Sequence, residues 1–143
     1  MSAGRLDWPA VRAGAGVCLV FAVPFSLAAR WAADSRDDST LAVLLTLGAV
    51  AGFVIGSGVA AWIQQTGFPL VHGLVTASLT YVVAQAVFIA IRLLAGRDVR
   101  WFGALFNLGP VLFAGVIGGL LGQYLQRSGA VPSSSRHRAG GNG

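Results

Sequence analysis

Four apolar runs divide the chain, and each is long enough to cross a lipid bilayer. They extend over about residues 10–29, 41–63, 70–91 and 102–125. A transmembrane helix needs about 20 predominantly apolar residues at a rise of about 1.5 Å each. Backbone polar groups in lipid are satisfied only within helices or closed barrels. The runs therefore predict an all-α fold, an integral membrane four-helix bundle.

Composition and the placement of aromatic residues support four membrane spans. Hydrophobic residues make up 55% of the chain and charged residues 10%, with a mean hydropathy of +0.72, which is too apolar for an ordinary soluble domain. The tryptophans mark the ends of runs, as aromatic residues do at the membrane surface: Trp8, Trp31, Trp62 and Trp101. We interpret the first run as a retained span, since a tryptophan stands where a signal peptide would need small residues.

Two similar strings indicate an internal duplication. Residues 54–67 read VIGSGVAAWIQQTG, and sixty-two residues later 116–129 read VIGGLLGQYLQRSG. An aromatic-proline pair also opens each half, with Trp8-Pro9 corresponding to Phe68-Pro69. Segments that match at a nearly fixed offset predict duplicated structural units. Because each unit contains two spans, both units would enter the membrane in the same direction.

The duplication divides the chain into four parts. We predict two parallel helix-hairpin repeats, one over residues 10–63 and the other over residues 64–127. A short N-terminal segment, residues 1–9, precedes them. Residues 128–143 are rich in Ser, Gly and Arg and are predicted to form a disordered basic tail.

Small residues recur at every fourth position in the second and fourth spans. They are Gly48, Gly52, Gly56 and Ala60, and Ala114, Gly118 and Gly122. Residues four apart share a helix face, and small residues there let helix backbones approach closely in lipid. The pattern predicts helix-packing stripes. The alternative is that these glycines line a pore.

Four polar residues in the spans are candidates for a site: Thr76, Thr80, Gln85 and Asn107. An amide as deep as that of Gln85 needs a hydrogen-bond partner in lipid. We favour hydrogen bonds between helices for these side chains. The alternative is that they line a polar path for a solute.

The chain offers little for catalysis or metal binding. No Asp or Glu lies within a span, so the buried carboxylate of a proton-driven transporter is missing. His72 and His137 are the only histidines, and we interpret His72 as an interfacial residue that corresponds to Arg12. Cys18 is interpreted as a buried packing residue. We expect no enzyme activity, no catalytic residue, no cofactor and no bound metal.

Charge bears on partners and orientation. The net charge is +5, but the arginines are scattered between apolar runs, so they indicate contact with lipid headgroups rather than nucleic acid. Five arginines lie on each side of the membrane, so the positive-inside rule gives no orientation and dual insertion stays possible. Four of the five aspartates share the side of the first and third loops: Asp34, Asp37, Asp38 and Asp98. This bias favours both termini in the cytoplasm.

The segment AGFVIGSGVAAWIQQTGFPLVHGLVTA resembles the span-loop-span pattern of small glycine-rich bacterial membrane proteins with four spans. No activity is known for that family, so the resemblance implies no functional residue; it implies a bacterial inner membrane as the location. Two functions are therefore considered. One is a non-catalytic subunit or assembly factor of a membrane complex, which predicts a membrane-protein partner. The other is a small channel or transporter formed as a homo-oligomer.

Overall fold

In the part of the chain that the structure describes, four long helices pack as a bundle. The computed structural model describes residues 6–35, 39–99 and 101–130. Within these ranges the chain is helical apart from its connections and ends, and no strand is present. The helices are α1 (Trp8–Ser35), α2 (Ser39–Ile63), α3 (Pro69–Leu94) and α4 (Trp101–Arg127). The predicted all-α fold is confirmed.

Each helix is long and apolar enough to cross a membrane. The helices have 28, 25, 26 and 27 residues, or about 38–42 Å at about 1.5 Å per residue. They exceed the predicted spans by a few residues at their ends because helical structure continues into the interface, where the apolar run has already stopped. Four such helices indicate a multi-pass membrane protein.

Local sequence signals account for the helix ends. Gly67 and Gly96 have φ values of 83° and 65°, a left-handed conformation that glycine adopts without strain, and they follow α2 and α3. Pro69 begins α3, where the missing N–H has no helical partner to lose. At the start of α1 the Ala10 amide donates to the Asp7 carboxylate at 3.3 Å, an N-terminal cap.

The helices pack as two antiparallel hairpins. The contact between α1 and α2 is the most extensive, followed by α2 with α4 and α3 with α4. Direct contacts also join α1 to α3, where Gly14 adjoins the Thr76 methyl group and Arg30 lies over the Phe88 ring. Residue numbers rise together along this pair, so α1 and α3 run in the same direction.

Small side chains predominate in the interior, and many large ones lie on the outside. The buried cluster consists of Cys18, Ala22, Phe53, Ala77, Val111 and Ala114. Large apolar residues such as Leu94 and Phe102 are 90% and 82% exposed. This distribution suits lipid, where apolar surface needs no burial and close backbone packing stabilises the bundle.

Burial is uneven along the bundle axis. Every buried residue of α3 lies between Pro69 and Thr80, and every buried residue of α4 lies between Val111 and Gly122. Because α3 and α4 are antiparallel, these segments occupy the same end of the bundle. We call the end formed by 69–80 and 111–127 the tight half, and the end formed by 81–94 and 101–110 the open half.

Two parts of the predicted organisation fall partly beyond the described residues. Residues 1–5 of the N-terminal segment lie outside them. In the predicted tail, residues 128–130 are described and residues 131–143 lie outside. The Ala130 carbonyl accepts a hydrogen bond from the Trp62 indole at 2.8 Å, so the chain returns to α2 directly after α4.

Candidate functional site

Glycine makes the contact between α1 and α2 possible. A Cβ added to Gly14 would lie 2.5 Å from the Gly56 carbonyl oxygen and 2.6 Å from the Ala60 Cβ. A Cβ on Gly56 would overlap the Cys18 sulfur. Both distances are shorter than van der Waals contact, so these backbones can meet only without side chains.

The same face of α2 continues toward the open half. A Cβ on Gly52 would lie 2.7 Å from the Cβ of Phe21, and one on Gly48 would lie 2.8 Å from the Phe25 ring. The predicted stripe of α2, from Gly48 to Ala60, therefore lies against α1.

The predicted stripe of α4 lies against α2. A Cβ on Gly118 would overlap the Ser57 hydroxyl oxygen, and one on Gly122 would lie 2.5 Å from the Ala61 Cβ. Ala114 is fully buried, and its carbonyl accepts a hydrogen bond from Ser57 at 3.3 Å. The stripe of α2 thus packs against α1, whereas the matching stripe of α4 packs against α2.

A third glycine contact, between α3 and α4, was not predicted. A Cβ on Gly73 would lie 2.8 Å from the Cα of Gly119 and 2.8 Å from the Gly115 carbonyl oxygen. Gly115 and Gly119 are four residues apart and adjoin the predicted stripe. The doublet Gly118-Gly119 was the available signal, because it gives α4 small residues on two adjacent faces.

Two glutamines join α2 and α4 at the end of the tight half. The Gln126 amide donates to the carbonyls of Trp62 at 2.9 Å and Gln64 at 3.0 Å, groups that have no helical partner at the end of α2. The Gln64 side-chain oxygen accepts from the amides of Thr66 at 2.8 Å and Gly67 at 3.0 Å. Gln64 is buried, so this amide network holds the turn after α2.

His72 links the start of α3 to the start of α1. Its Nε2 accepts a hydrogen bond from the Asp7 amide at 2.9 Å, and its Nδ1 lies 2.8 Å from the Phe68 carbonyl oxygen. A carbonyl only accepts and an amide only donates, so the ring hydrogen is on Nδ1. His72 was predicted to be an interfacial residue that corresponds to Arg12, and the two differ in burial, since His72 is 1% exposed and Arg12 is exposed.

Thr76 and Thr80 face the interior of the bundle from α3. Thr76 is fully buried and Thr80 is 5% exposed. Neither hydroxyl has a hydrogen-bond partner among the described residues. Buried hydroxyls without partners are uncommon, so this face of α3 carries two polar groups that the helices do not satisfy.

Gln85 bridges α3 to α4 through a residue that the sequence did not single out. Its amide donates to the Tyr81 hydroxyl at 2.6 Å, and that hydroxyl donates to the Ala104 carbonyl at 2.6 Å. Tyr81 also packs edge-on against Phe53, with ring centroids 6.4 Å apart. The spacing of Tyr81 and Gln85, one helical turn, was the signal that could have paired them.

Asn107 stands apart from the other three polar candidates. It is exposed on α4 in the open half, and its side chain has no hydrogen bond within the described part of the chain. The structure thus places Thr76 and Thr80 inside the bundle, bonds Gln85 to Tyr81, and leaves Asn107 on the outer surface.

The described residues contain no group of three His, Cys, Asp or Glu side chains that could hold a metal ion. Comparison with protein-family models, with curated proteins and with solved structures gave no match for this chain. Its own fold defines its class, that of helical bundles with four candidate membrane spans.

Proposed function

We propose that this chain is a non-catalytic subunit or assembly factor of a membrane complex. The observation that carries the proposal is the exposed, unbonded amide of Asn107 on α4. Asn107 follows Trp101 by six residues, or about 9 Å along the helix. With Trp101 at the interface, the amide lies within the hydrocarbon, where an unsatisfied polar group costs several kcal/mol by order of magnitude.

The helix face of Asn107 is suited to another helix. Asn107 precedes Val111 by four residues and Ala114 by seven, so it lies on the face of α4 that is buried further along. Gly103 is on the same face, and a Cβ added there would have no atom within 4 Å. A glycine beside an amide allows close approach and a hydrogen bond, the two contacts that associate helices in lipid.

The interior of the bundle supports a structural role. Glycine and alanine contacts close the tight half, and the best-placed deep amide, that of Gln85, bonds within the chain. The spans contain no carboxylate side chain. These features favour a protein that acts through helix contacts over one that carries out chemistry in its interior.

Duplicated parallel hairpins would explain two contacts between residues at corresponding positions of the two repeats. Gln64 and Gln126 are 62 residues apart and bond at 3.4 Å, and Gly14 and Thr76, with the same separation, adjoin each other. In a parallel repeat about an axis along the membrane normal, equivalent residues lie at equal depth, and those nearest the axis touch.

The proposed location is the inner membrane of a bacterium, with both termini in the cytoplasm. The aspartate bias across the loops and the resemblance to small glycine-rich bacterial membrane proteins support it. Tagging each terminus with a reporter that is active on one side of the membrane tests it. Equal signal from both sides would indicate dual insertion.

The experiment for the main proposal is extraction of the tagged protein from native membranes into lipid nanodiscs. The mass of the intact complex and the identity of every co-purifying protein are then measured. We expect a stoichiometric foreign membrane protein that is lost in Asn107→Leu. The matched control is Thr46→Val, which removes an exposed polar group whose hydroxyl already bonds to the Ala42 carbonyl at 2.8 Å.

A homo-oligomer with no foreign partner, unchanged by Asn107→Leu, would contradict the proposal. It would favour the second candidate function, a homo-oligomeric channel or transporter without a buried carboxylate. The unbonded hydroxyls of Thr76 and Thr80 are the observation on its side, since such groups can replace the hydration of a solute. Its test is flux through reconstituted Thr80→Val and Gln85→Leu, which must fall while the oligomer persists.

A further inference from the structure

Two arginines from different helices converge on one aromatic ring in the open half. The guanidinium carbon of Arg30, on α1, lies 4.1 Å from the centroid of the Phe88 ring, and that of Arg92, on α3, lies 5.7 Å from it. Both distances are within the range of cation–π attraction, about 6 Å. Phe88 and Arg92 are four residues apart and therefore share one face of α3.

Neither guanidinium group pairs with a carboxylate whose side chain the structure describes. These carboxylates are those of Asp7 and Asp98. Like charges held around one ring repel each other. An anion between them would remove that repulsion and gain charge-assisted hydrogen bonds from both guanidinium groups.

The guanidinium group of Arg92 is only partly turned toward the protein. Its Nε is buried and has no hydrogen-bond partner among the described residues. Because Nε is buried, a ligand that approaches from the membrane would meet the terminal N–H groups of the guanidinium, which form a planar fork that matches the oxygens of a phosphate. The arrangement therefore favours a ligand with several acceptor oxygens.

The depth of the two arginines in the membrane favours a lipid headgroup as the source of that phosphate. Arg30 directly precedes Trp31, which marks the interface, and Arg92 is in the last turn of α3. Guanidinium groups at this level reach the phosphates of lipid headgroups. We propose that Arg30, Phe88 and Arg92 form a binding site for the phosphate of an anionic phospholipid.

The test measures lipid retained by the purified protein in native mass spectrometry. The protein is equilibrated in nanodiscs of phosphatidylcholine that contain a minor fraction of phosphatidylglycerol. We expect selective retention of phosphatidylglycerol and about tenfold weaker retention in the double variant Arg30→Gln/Arg92→Gln. The variant Arg30→Lys/Arg92→Lys keeps the charge but lacks the planar guanidinium groups, and it should retain phosphatidylglycerol to an intermediate extent.

The matched control is Arg12→Gln/Arg127→Gln, which removes the same charge from two exposed arginines at the other end of the bundle. It should retain phosphatidylglycerol as the unchanged protein does. Equal loss in both double variants would show general charge attraction and overturn the site. Equal retention in both would overturn it as well.

A separate arm distinguishes the two sources of phosphate. Inorganic phosphate in large excess should not displace phosphatidylglycerol, because the lipid is also held by its acyl chains. Displacement by inorganic phosphate would overturn the assignment to a lipid and indicate a soluble phosphate. Helix content measured by circular dichroism verifies that each variant is folded, so loss of lipid is not loss of structure.

Discussion

Gly118 of α4 meets Ser57 of α2 with no space for a side chain between them, since a Cβ on Gly118 would overlap the Ser57 hydroxyl oxygen. The same Cβ would lie 2.5 Å from the Val54 carbonyl oxygen. These atoms belong to a helix backbone and a buried side chain, so neither can yield easily. The contact between the two hairpins therefore depends on the absence of one methyl group.

The first prediction concerns Gly118→Ala. Overpacking should lower the free energy of unfolding by about 1–3 kcal/mol, measured by unfolding in mixed detergent micelles. The control is Gly109→Ala, where an added Cβ has no neighbour within 4 Å and stability should hold or rise slightly. Equal changes in the two variants would contradict the role of this contact.

The second prediction compares neighbouring glutamines. Gln64→Leu removes the oxygen that accepts from the Thr66 amide, the Thr66 hydroxyl and the Gly67 amide. Loss of these bonds should cost about 1–3 kcal/mol of unfolding free energy. Gln65 is exposed, and its backbone amide, not its side chain, makes the contact with Asp7. Gln65→Leu should therefore leave stability unchanged, and a similar loss there would argue against the network.

The third prediction concerns the bond from Tyr81 to Ala104. Tyr81→Phe removes the hydroxyl that joins Gln85 to α4 and should destabilise the bundle by about 1 kcal/mol, as for other side-chain hydrogen bonds in membranes. Tyr124→Phe is the control, because Tyr124 is 70% exposed. If both variants unfold at the same detergent concentration as the unchanged protein, the bridge contributes nothing to stability.

The fourth prediction concerns the ring hydrogen of His72. Its two contacts require the tautomer with hydrogen on Nδ1, donating to Phe68 and accepting from Asp7 at Nε2. Nitrogen-15 NMR of selectively labelled protein distinguishes the two ring nitrogens. A spectrum in which Nε2 carries the hydrogen would refute the link between α3 and the start of α1.

The sequence predicts the spans because a span is a local property. About 20 consecutive apolar residues define a membrane helix wherever they occur, and all four predicted spans lie within helices of the structure. The small-residue stripes are local in the same way. The helix against which each stripe packs cannot be predicted from the neighbouring sequence. In lipid all faces of a helix are apolar, so hydrophobicity does not show which face meets which helix. The matching residues Gly56 and Gly118 therefore face different helices, α1 and α2, although the sequence around them is similar.

The polar contacts were harder to predict because their partners are distant in sequence. Asp7 and His72 are 65 residues apart, and nothing near either residue indicates the other. Asn107 illustrates the converse difficulty. It shares a helix face with Val111 and Ala114, which are buried, yet Asn107 itself is exposed. The position of a residue on a helix face does not show how far along the helix that face is covered.

The extensive contact between α1 and α2 bears on how the protein is made. These helices are consecutive, and contacts between neighbouring segments form without closing a long loop. The first hairpin can therefore assemble while the ribosome is still synthesising the second. The second hairpin then joins a surface that is already in place, through Gly118 and Gly122 on α4. We therefore expect assembly in two steps, and a substitution at Gly118 should slow the second step while the first hairpin forms normally.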